Sequence, residues 1–396
     1  MERNRISKYS EQIRGVSYKP EDIHDDLNDN SITLLRANNI SDGNINFDDV
    51  VYVDKSKVSK KQILKKGDVL ICASSGSKHL VGKAAQINFE GEYTFGAFCK
   101  VVRPININNI YIGMYFQSSE YRRIISSVSQ GANINNIKNE DIDNLFIKVP
   151  NEAEQKNVSE ILIKVSQIIM YRKQQLEELD KLIKSRFVEM FGDLAINPLN
   201  WKESQLIDLC TSKDDIKCGP FGTQLSKDEY KKEGVPLWGI PQINSFFSIM
   251  PTDFISEDKA KKLEAYSIVK DDIVMSRKGN VGKCAIYPAD LSMGIMHSDA
   301  LRIRVNKSKI NPVFLIHQLH NSRYVVNQID NVSSGAIMAG VNVTKLKNIY
   351  VHIPPTDLQN QFAVFVQQVD KLKVEVKKSL AETQKLFNSL MQKYFD

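Results

Sequence analysis

Residues 131–150 read GANINNIKNEDIDNLFIKVP, and residues 335–354, 204 positions later, read GAIMAGVNVTKLKNIYVHIP. The second stretch repeats the first. Gln155 then matches Gln359, and the helical stretches that follow keep the offset of 204 to the end of the chain. A repeat this long is no solenoid unit; it signals two copies of a whole domain, each followed by a helix. Two similar readers on one chain suit a target with two parts.

Upstream, Arg14-Gly15 aligns with Cys218-Gly219, and LLRANNI at 34–40 with LWGIPQI at 237–243. KGDVLI at 66–71 aligns with KDDIVM at 270–275, again 204 apart. The Val-Gly-Lys at 81–83 meets that at 281–283, where the offset drops to 200. An insertion confined to one short segment marks a loop on a shared scaffold. Residues 68–73 and 272–276 are short apolar runs ending in turn residues, which predicts buried strands. Residues 145–149 and 349–353 read as closing strands, 110–127 and 312–328 as helices. Each copy is therefore a mixed α/β domain of roughly 150 residues.

The stretches after each copy carry a seam of apolar residues in steps of three and four. In the first it runs through Val158, Ile161, Val165, Ile168, Leu176, Leu179, Ile183, Phe187 and Met190. In the second it runs through Phe362, Phe365, Val369, Leu372, Leu380, Thr383, Phe387, Met391 and Tyr394, with Arg172 and Val376 filling the remaining position. This predicts two helices, each of about 40 residues and about 60 Å, that pack on a partner. Antiparallel packing of the two within the chain would relate the domains by an approximate twofold axis. Either helix could instead meet another chain. The boundaries that follow are 1–150 and 193–353 for the domains, with helices at 151–192 and 354–396.

Composition is that of an ordinary globular protein, 42% apolar and 25% charged. No apolar run is long enough to span a bilayer, and MERNRISKYSEQIRG has no apolar signal core. A cytoplasmic location is expected. Five scattered cysteines without CxxC suit a reducing compartment and argue against structural zinc. The net charge of +6 permits nucleic acid as a partner without demanding it; a solvated basic surface is an equal reading.

Motifs for catalysis are missing. GSKHLVGKA at 76–84 is a failed P-loop, one residue too long and with Ala84 where a hydroxyl should hold magnesium. No GxGxxG follows a strand, and there is no NPP[FY] element of the kind amino-methyltransferases carry. His317 and His320 stand three apart, but HQLH lacks the glutamate of HExxH. His297 and Asp299 are a pair without a nucleophile. No catalytic residue, metal ligand or cofactor site is expected.

What remains is loop chemistry suited to DNA. Arg277, Lys278 and Asn280 follow a strand in the second copy; Ser74, Ser75, Ser77, Lys78 and His79 occupy the same place in the first. Arginine can pair with guanine and asparagine with adenine in the major groove, while lysine suits phosphates. Thr223 and Gln224 lie in a second turn, matched by Lys19. Asn133 lies in a third. Arg36, Asn38 and Gln242 complete the candidate set. For any one loop a solvated turn is the simpler reading. Recurrence of the loops, with divergent polar residues on matching strands, favours two readers of different sequences.

The chain resembles the specificity (S) subunits of type I restriction–modification enzymes. The resemblance is carried by IRGVSYKPEDI, LLRANNI and KKGDVLICASSG in the first copy. In the second it is carried by NPLNWKESQLIDL, KCGPFGTQL, DDIVMSRKGNVGKCAIY and IPPTDLQNQF, and between the copies by LDKLIKSRFVEMFGD. It implies two target recognition domains separated by two long antiparallel helices, each domain reading half of a bipartite DNA sequence. It implies helices that fix the unread spacer, and a chain without a catalytic site of its own. Its expected partners are double-stranded DNA, two modification subunits that bind S-adenosylmethionine, and restriction subunits that use ATP and Mg. One departure is the NPxxW lead-in at Asn197, Pro198 and Trp201, which the first copy lacks; its opening is expected either to have less support or to lean on the C-terminal helix end near Phe395. Two other readings stay open. A coiled-coil scaffold joining two protein-binding domains predicts no salt-dependent DNA affinity. A self-contained restriction or modification enzyme predicts cofactor binding by the isolated chain.

Overall fold

The computed structural model describes residues 3–77, 80–128, 135–279, 281–333 and 340–396. Its two long helices, Glu152–Phe191 and Thr356–Phe395, are each 40 residues and stand 204 positions apart at both ends. The chain forms two compact units. The first comprises Met1–Gln174 with Lys377–Asp396, and the second Gln175–Val376.

Each unit holds a four-stranded antiparallel sheet in the same order. In the first it runs Ala84–Gln86, Val69–Cys72, Cys99–Pro104, Ser10–Arg14; in the second Cys284–Ile286, Ile273–Ser276, Ala300–Ile303, Ile216–Cys218. Val69–Cys72 and Ile273–Ser276 are buried at every position, which is why they read as unbroken apolar runs. A second sheet in each unit contains a parallel pair: Tyr93–Phe95 beside Ser31–Leu35, and Gly294–Met296 beside Val235–Trp238. The closing strands Phe146–Lys148 and Tyr350–Ile353 pair with the opening strands Arg3–Arg5 and Lys202–Gln205.

The repeated sequence maps onto repeated contacts. Gly67 (φ 96°) and Asp271 (φ 68°) take the left-handed turn before the central strand. The next residue, Asp68 or Asp272, accepts the N–H of Lys65 or Val269 and a two-pronged ion pair from Arg103 or Arg304. Gln155 and Gln359 tie each long helix to its domain. Each donates to the carbonyl of Pro150 or Pro354 and accepts from the N–H of Asn108 or Asn311, which caps a domain helix.

Each helical stretch expected at 110–127 and 312–328 is two helices. They are Asn109–Tyr115 with Ser119–Val128, and Pro312–Asn321 with Arg323–Ser333. The Ser118 hydroxyl accepts the Tyr121 N–H and restarts the helix. Ser322 adopts extended backbone at ψ 112° and ends its helix.

Within each unit the long helices pack antiparallel. In the first, Val158 and Leu162 share a core with Met391, Phe395, Tyr111 and Ile6. In the second, Ile183, Phe187 and Phe191 share one with Phe362, Val366, Val369 and Phe314. The seam residues Val158, Val165, Ile183, Phe187, Phe362, Val369 and Val376 are buried; Ile161, Leu176, Leu179, Phe365, Leu380 and Phe387 are half-buried. Leu372, expected in the seam, is 50% exposed, as is Ile168 at 45%. A straight helix drifts about 20° per heptad from a 3.5-residue repeat, so strict stepping leaves the contact stripe. Leu162, Phe191, Val366 and Phe395 fall outside the expected seam yet are buried in cores shared by the domain and both long helices: the Phe191 ring lies 4.6 Å from that of Phe314 and 5.5 Å from that of Phe362.

The two openings are anchored differently. Asn197 exchanges two hydrogen bonds with the Trp201 backbone, and the Trp201 indole donates to the Phe191 carbonyl. In the first unit Arg3 donates instead to Glu120 and to the Asp396 carbonyl, beside the Phe395 core.

His317 packs edge-on to Phe362, centroids 5.2 Å apart, with Phe187 beyond. Burial, with His320 and Lys373 nearby, pushes its pKa down to about 4. Above pH 6.5 both the folded and unfolded forms are neutral and stability is full. As pH falls from 6.5 towards 4 only the unfolded chain takes up the proton, so the second unit should lose up to about 3 kcal/mol. His317→Leu should flatten that slope. Urea unfolding at pH 7 and 4.5 checks it, and an equal pH slope in the variant refutes it. Buried His352, also pushed down, leaves a residual slope of the same sign.

Candidate nucleic-acid interface

In each unit the loop after the first sheet strand runs against the loop before a partner strand. A Cβ at Gly15 would lie 2.1 Å from the Gly96 oxygen, and one at Gly219 2.2 Å from the His297 oxygen. Only glycine permits this approach, which accounts for its recurrence in both copies. The loop after the central strand joins them: Ala73 N–H donates to the Phe98 carbonyl, and Arg277 N–H to that of Asp299. Three loops thus converge at the same place in both units. The backbone bonds fix the correspondence of Arg277 with Ala73, Lys278 with Ser74, and Asp299 with Phe98.

In the second unit this place is charged and aromatic. The Arg277 guanidinium sits 5.0 Å from the Phe221 ring centroid, and its Nε donates to the Val341 carbonyl at 3.3 Å. Lys278 Nζ lies 3.0 Å from Asp299 Oδ1 and pairs through its backbone with Gly340. His297 Nδ1 lies 3.5 Å from Asp299 Oδ2 and accepts the Asp299 N–H at 3.2 Å. Gln224 Oε1 accepts from Phe221 N–H and from the Tyr266 hydroxyl; Thr223 beside it is exposed. Asn280 lies outside the described residues.

In the first unit the described residues of the loop after the central strand, Ala73 to Ser77, are small and uncharged. Ser74–Ser75 pairs with Asn135–Asn136, and the Ser75 hydroxyl accepts the Ser77 N–H. Phe98 is 70% exposed. Lys19, on the adjoining loop, is exposed and 3.4 Å from the equally exposed Glu21, a pair of little consequence. Lys78, His79 and Asn133 lie outside the described residues.

Three candidates have structural duties. Arg36 and Asn38 both donate to Asp49 Oδ2, each at 2.8 Å, so the structure brings them together on one carboxylate. Gln242, a candidate DNA contact, is buried, and its Oε1 accepts the Gly239 N–H to cap the short helix Ile240–Asn244. Asn39 does the same for Arg36 in the first unit. The roles of Phe221, His297, Asp299 and Phe98 were not legible from their own neighbours in sequence. For Phe221 the offset of 204 was an available signal, since it stands where the first copy has Ser17; the match of Asp299 with Phe98 comes only from the backbone bonds.

Among the described residues no cluster of three or more His, Cys, Asp or Glu could hold a metal. No described helix is long and apolar enough to cross a membrane.

Comparison with known proteins agrees with this architecture. The type I restriction enzyme StySPI specificity subunit of Salmonella potsdam is 28% identical over 98% of this chain and 87% of its own length. The EcoKI specificity subunit of Escherichia coli K12 is likewise 28% identical, over 98% and 87%. The crystal structure of the type I restriction-modification S subunit from M. genitalium shares the fold, with a TM-score of 0.60 at 16% identity, over 100% of this chain and 96% of that one. The family described as type I restriction modification DNA specificity domain matches residues 18–181 and again 198–384. The chain belongs to that family and carries its domain twice.

Proposed function

We propose that the chain is the DNA specificity subunit of a type I restriction–modification system, acting in the cytoplasm on double-stranded DNA. Each unit reads one half of a bipartite, asymmetric target through its three converging loops. The long helices set the unread spacer and dock two modification subunits. Those subunits supply S-adenosylmethionine-dependent adenine methylation, and restriction subunits supply the ATP- and Mg-dependent steps; the chain itself contributes no catalytic group or cofactor. One observation carries this reading. The same loops converge on the same scaffold twice, with Ala73, Ser74 and Phe98 in one copy and Arg277, Lys278 and Asp299 in the other. Matching scaffolds with unlike tips are what two half-sites of different sequence require.

The test is to assemble the chain with its modification subunit and map methylated adenines by sequencing. A single asymmetric two-part motif is the expected result; methylation without sequence preference overturns the reading. Arg277→Ala should relax reading at one base pair of one half-site, costing about 1–3 kcal/mol if the contact is bidentate to guanine. Binding titrations on a panel of single-base variants check it. An equal loss on every sequence would make Arg277 a phosphate contact.

A further inference from the structure

Arg277 and Lys278 are adjacent cations at the converging loops, yet their surroundings differ. The Arg277 guanidinium has an aromatic face beside it and one backbone carbonyl at its Nε. Neither neighbour cancels its charge. Lys278 has a carboxylate at 3.0 Å. We propose that Asp299 is a specificity-determining residue that neutralises Lys278 against phosphates, while Phe221 positions Arg277 to meet a base edge. This rests on the reading of the second unit as a DNA recognition domain.

The physical case begins with what each cation would do alone. A lysine at a DNA-facing loop gains affinity for any phosphate, at every sequence, by releasing a counterion. That gain adds equally to correct and incorrect sites and carries no sequence information. A carboxylate held against the ammonium removes it. Asp299 is held for this purpose by its backbone: its carbonyl accepts the Arg277 N–H at 2.8 Å, and its N–H donates to His297. Its side chain is 28% exposed, against 50% for that of Lys278, and the Oδ1 that meets the ammonium is itself buried. Arginine over an aromatic face keeps its planar fork and all its charge while losing rotational freedom.

The duplication supplies an independent observation. Where the second copy has Lys278 the first has Ser74, and where the second has Asp299 the first has Phe98. Where the second has Arg277 the first has Ala73, and Phe221 becomes Ser17. Each cation and its companion are present together or absent together. Asp299 and Phe221 therefore go with the cations and not with the scaffold, which both copies share.

The experiment uses the full chain in complex with its modification subunits. Affinity for the mapped target and for an unrelated duplex is measured across salt concentrations. Asp299→Asn keeps the shape and both backbone bonds. It should raise affinity for the unrelated duplex by about fivefold, as expected for one freed exposed charge. It should also steepen the salt dependence by about 0.9 in log–log slope, the contribution of one phosphate contact. In a Lys278→Ala background the same substitution should do neither. Phe221→Leu should lower affinity for the mapped target alone by about two- to fivefold with the slope unchanged. The proposal is wrong if Asp299→Asn leaves the slope unchanged, or if its effect persists without Lys278. It is also wrong if Phe221→Leu weakens both duplexes alike. Were the unsubstituted complex to show no preference between the duplexes, the recognition reading itself would fall. Thermal melts of each variant separate these outcomes from loss of fold.

Discussion

Asp272→Ala is expected to destabilise the second unit by about 3–5 kcal/mol, because it leaves two guanidiniums, buried Arg302 and part-buried Arg304, without the carboxylate between them. Asp272 is 2% exposed, and both its carboxylate oxygens accept from Arg304 at 2.7 Å. One of them also accepts the Val269 N–H that closes the turn at Asp271. A second guanidinium lies close by. Arg302 is buried, donates to the carbonyls of Ser267 and Asp214, and has its pKa lowered by burial and by Arg304. The carboxylate therefore offsets two cations as well as completing a turn. The corresponding pair in the first unit, Asp68 with Arg103, has Val101 where the second has Arg302. Asp68→Ala should accordingly cost less.

The two tryptophans, Trp201 and Trp238, are both in the second unit, so their fluorescence reports that unit alone. Urea titration should show their transition moving to much lower denaturant in Asp272→Ala and staying in place in Asp68→Ala. Equal behaviour of the two variants would mean that the pair is not the keystone of its own unit.

How much of this was legible in the sequence follows from the range of each interaction. The duplication and the helix seam are written in local spacing, so the central strands and both 40-residue helices could be read from apolar periodicity. The breaks at Ser118 and Ser322 could not, because a serine inside an apolar period looks the same whether it caps a new helix or faces water. Leu372 was misplaced because a fixed seam ignores helical drift and the pull of the domain core. At the interface, Arg277 and Lys278 were visible as a basic turn. That one faces Phe221 and the other Asp299 depends on loops brought together by a glycine contact at 219. Gln242 entered the candidate set by its residue type; the N–H it caps belongs to the backbone, which sequence does not display.

Lengthening both long helices by four residues should move the two half-sites apart without changing either. The insertion points are between Gln174 and Gln175 and between Val376 and Lys377, where the chain passes from one unit to the other. In the first unit the helices are locked by Val158 and Leu162 against Met391 and Phe395. In the second they are locked by Phe187 and Phe191 against Phe362 and Val366. Those contacts lie well away from the insertion points, so each core keeps its own helix pairing. Four residues add about 6 Å of helix and turn it by only about 40° beyond a full circle. The expected change in the methylation map is a spacer longer by one to two base pairs, at about 3.4 Å each, with both half-sites intact. Two residues in each helix add about 3 Å but turn it by about 200°. That rotates one recognition domain away from its half-site, and methylation should collapse while each unit stays folded. The contrast separates a ruler from a tether: a tether would tolerate either insertion and leave the spacer as it was.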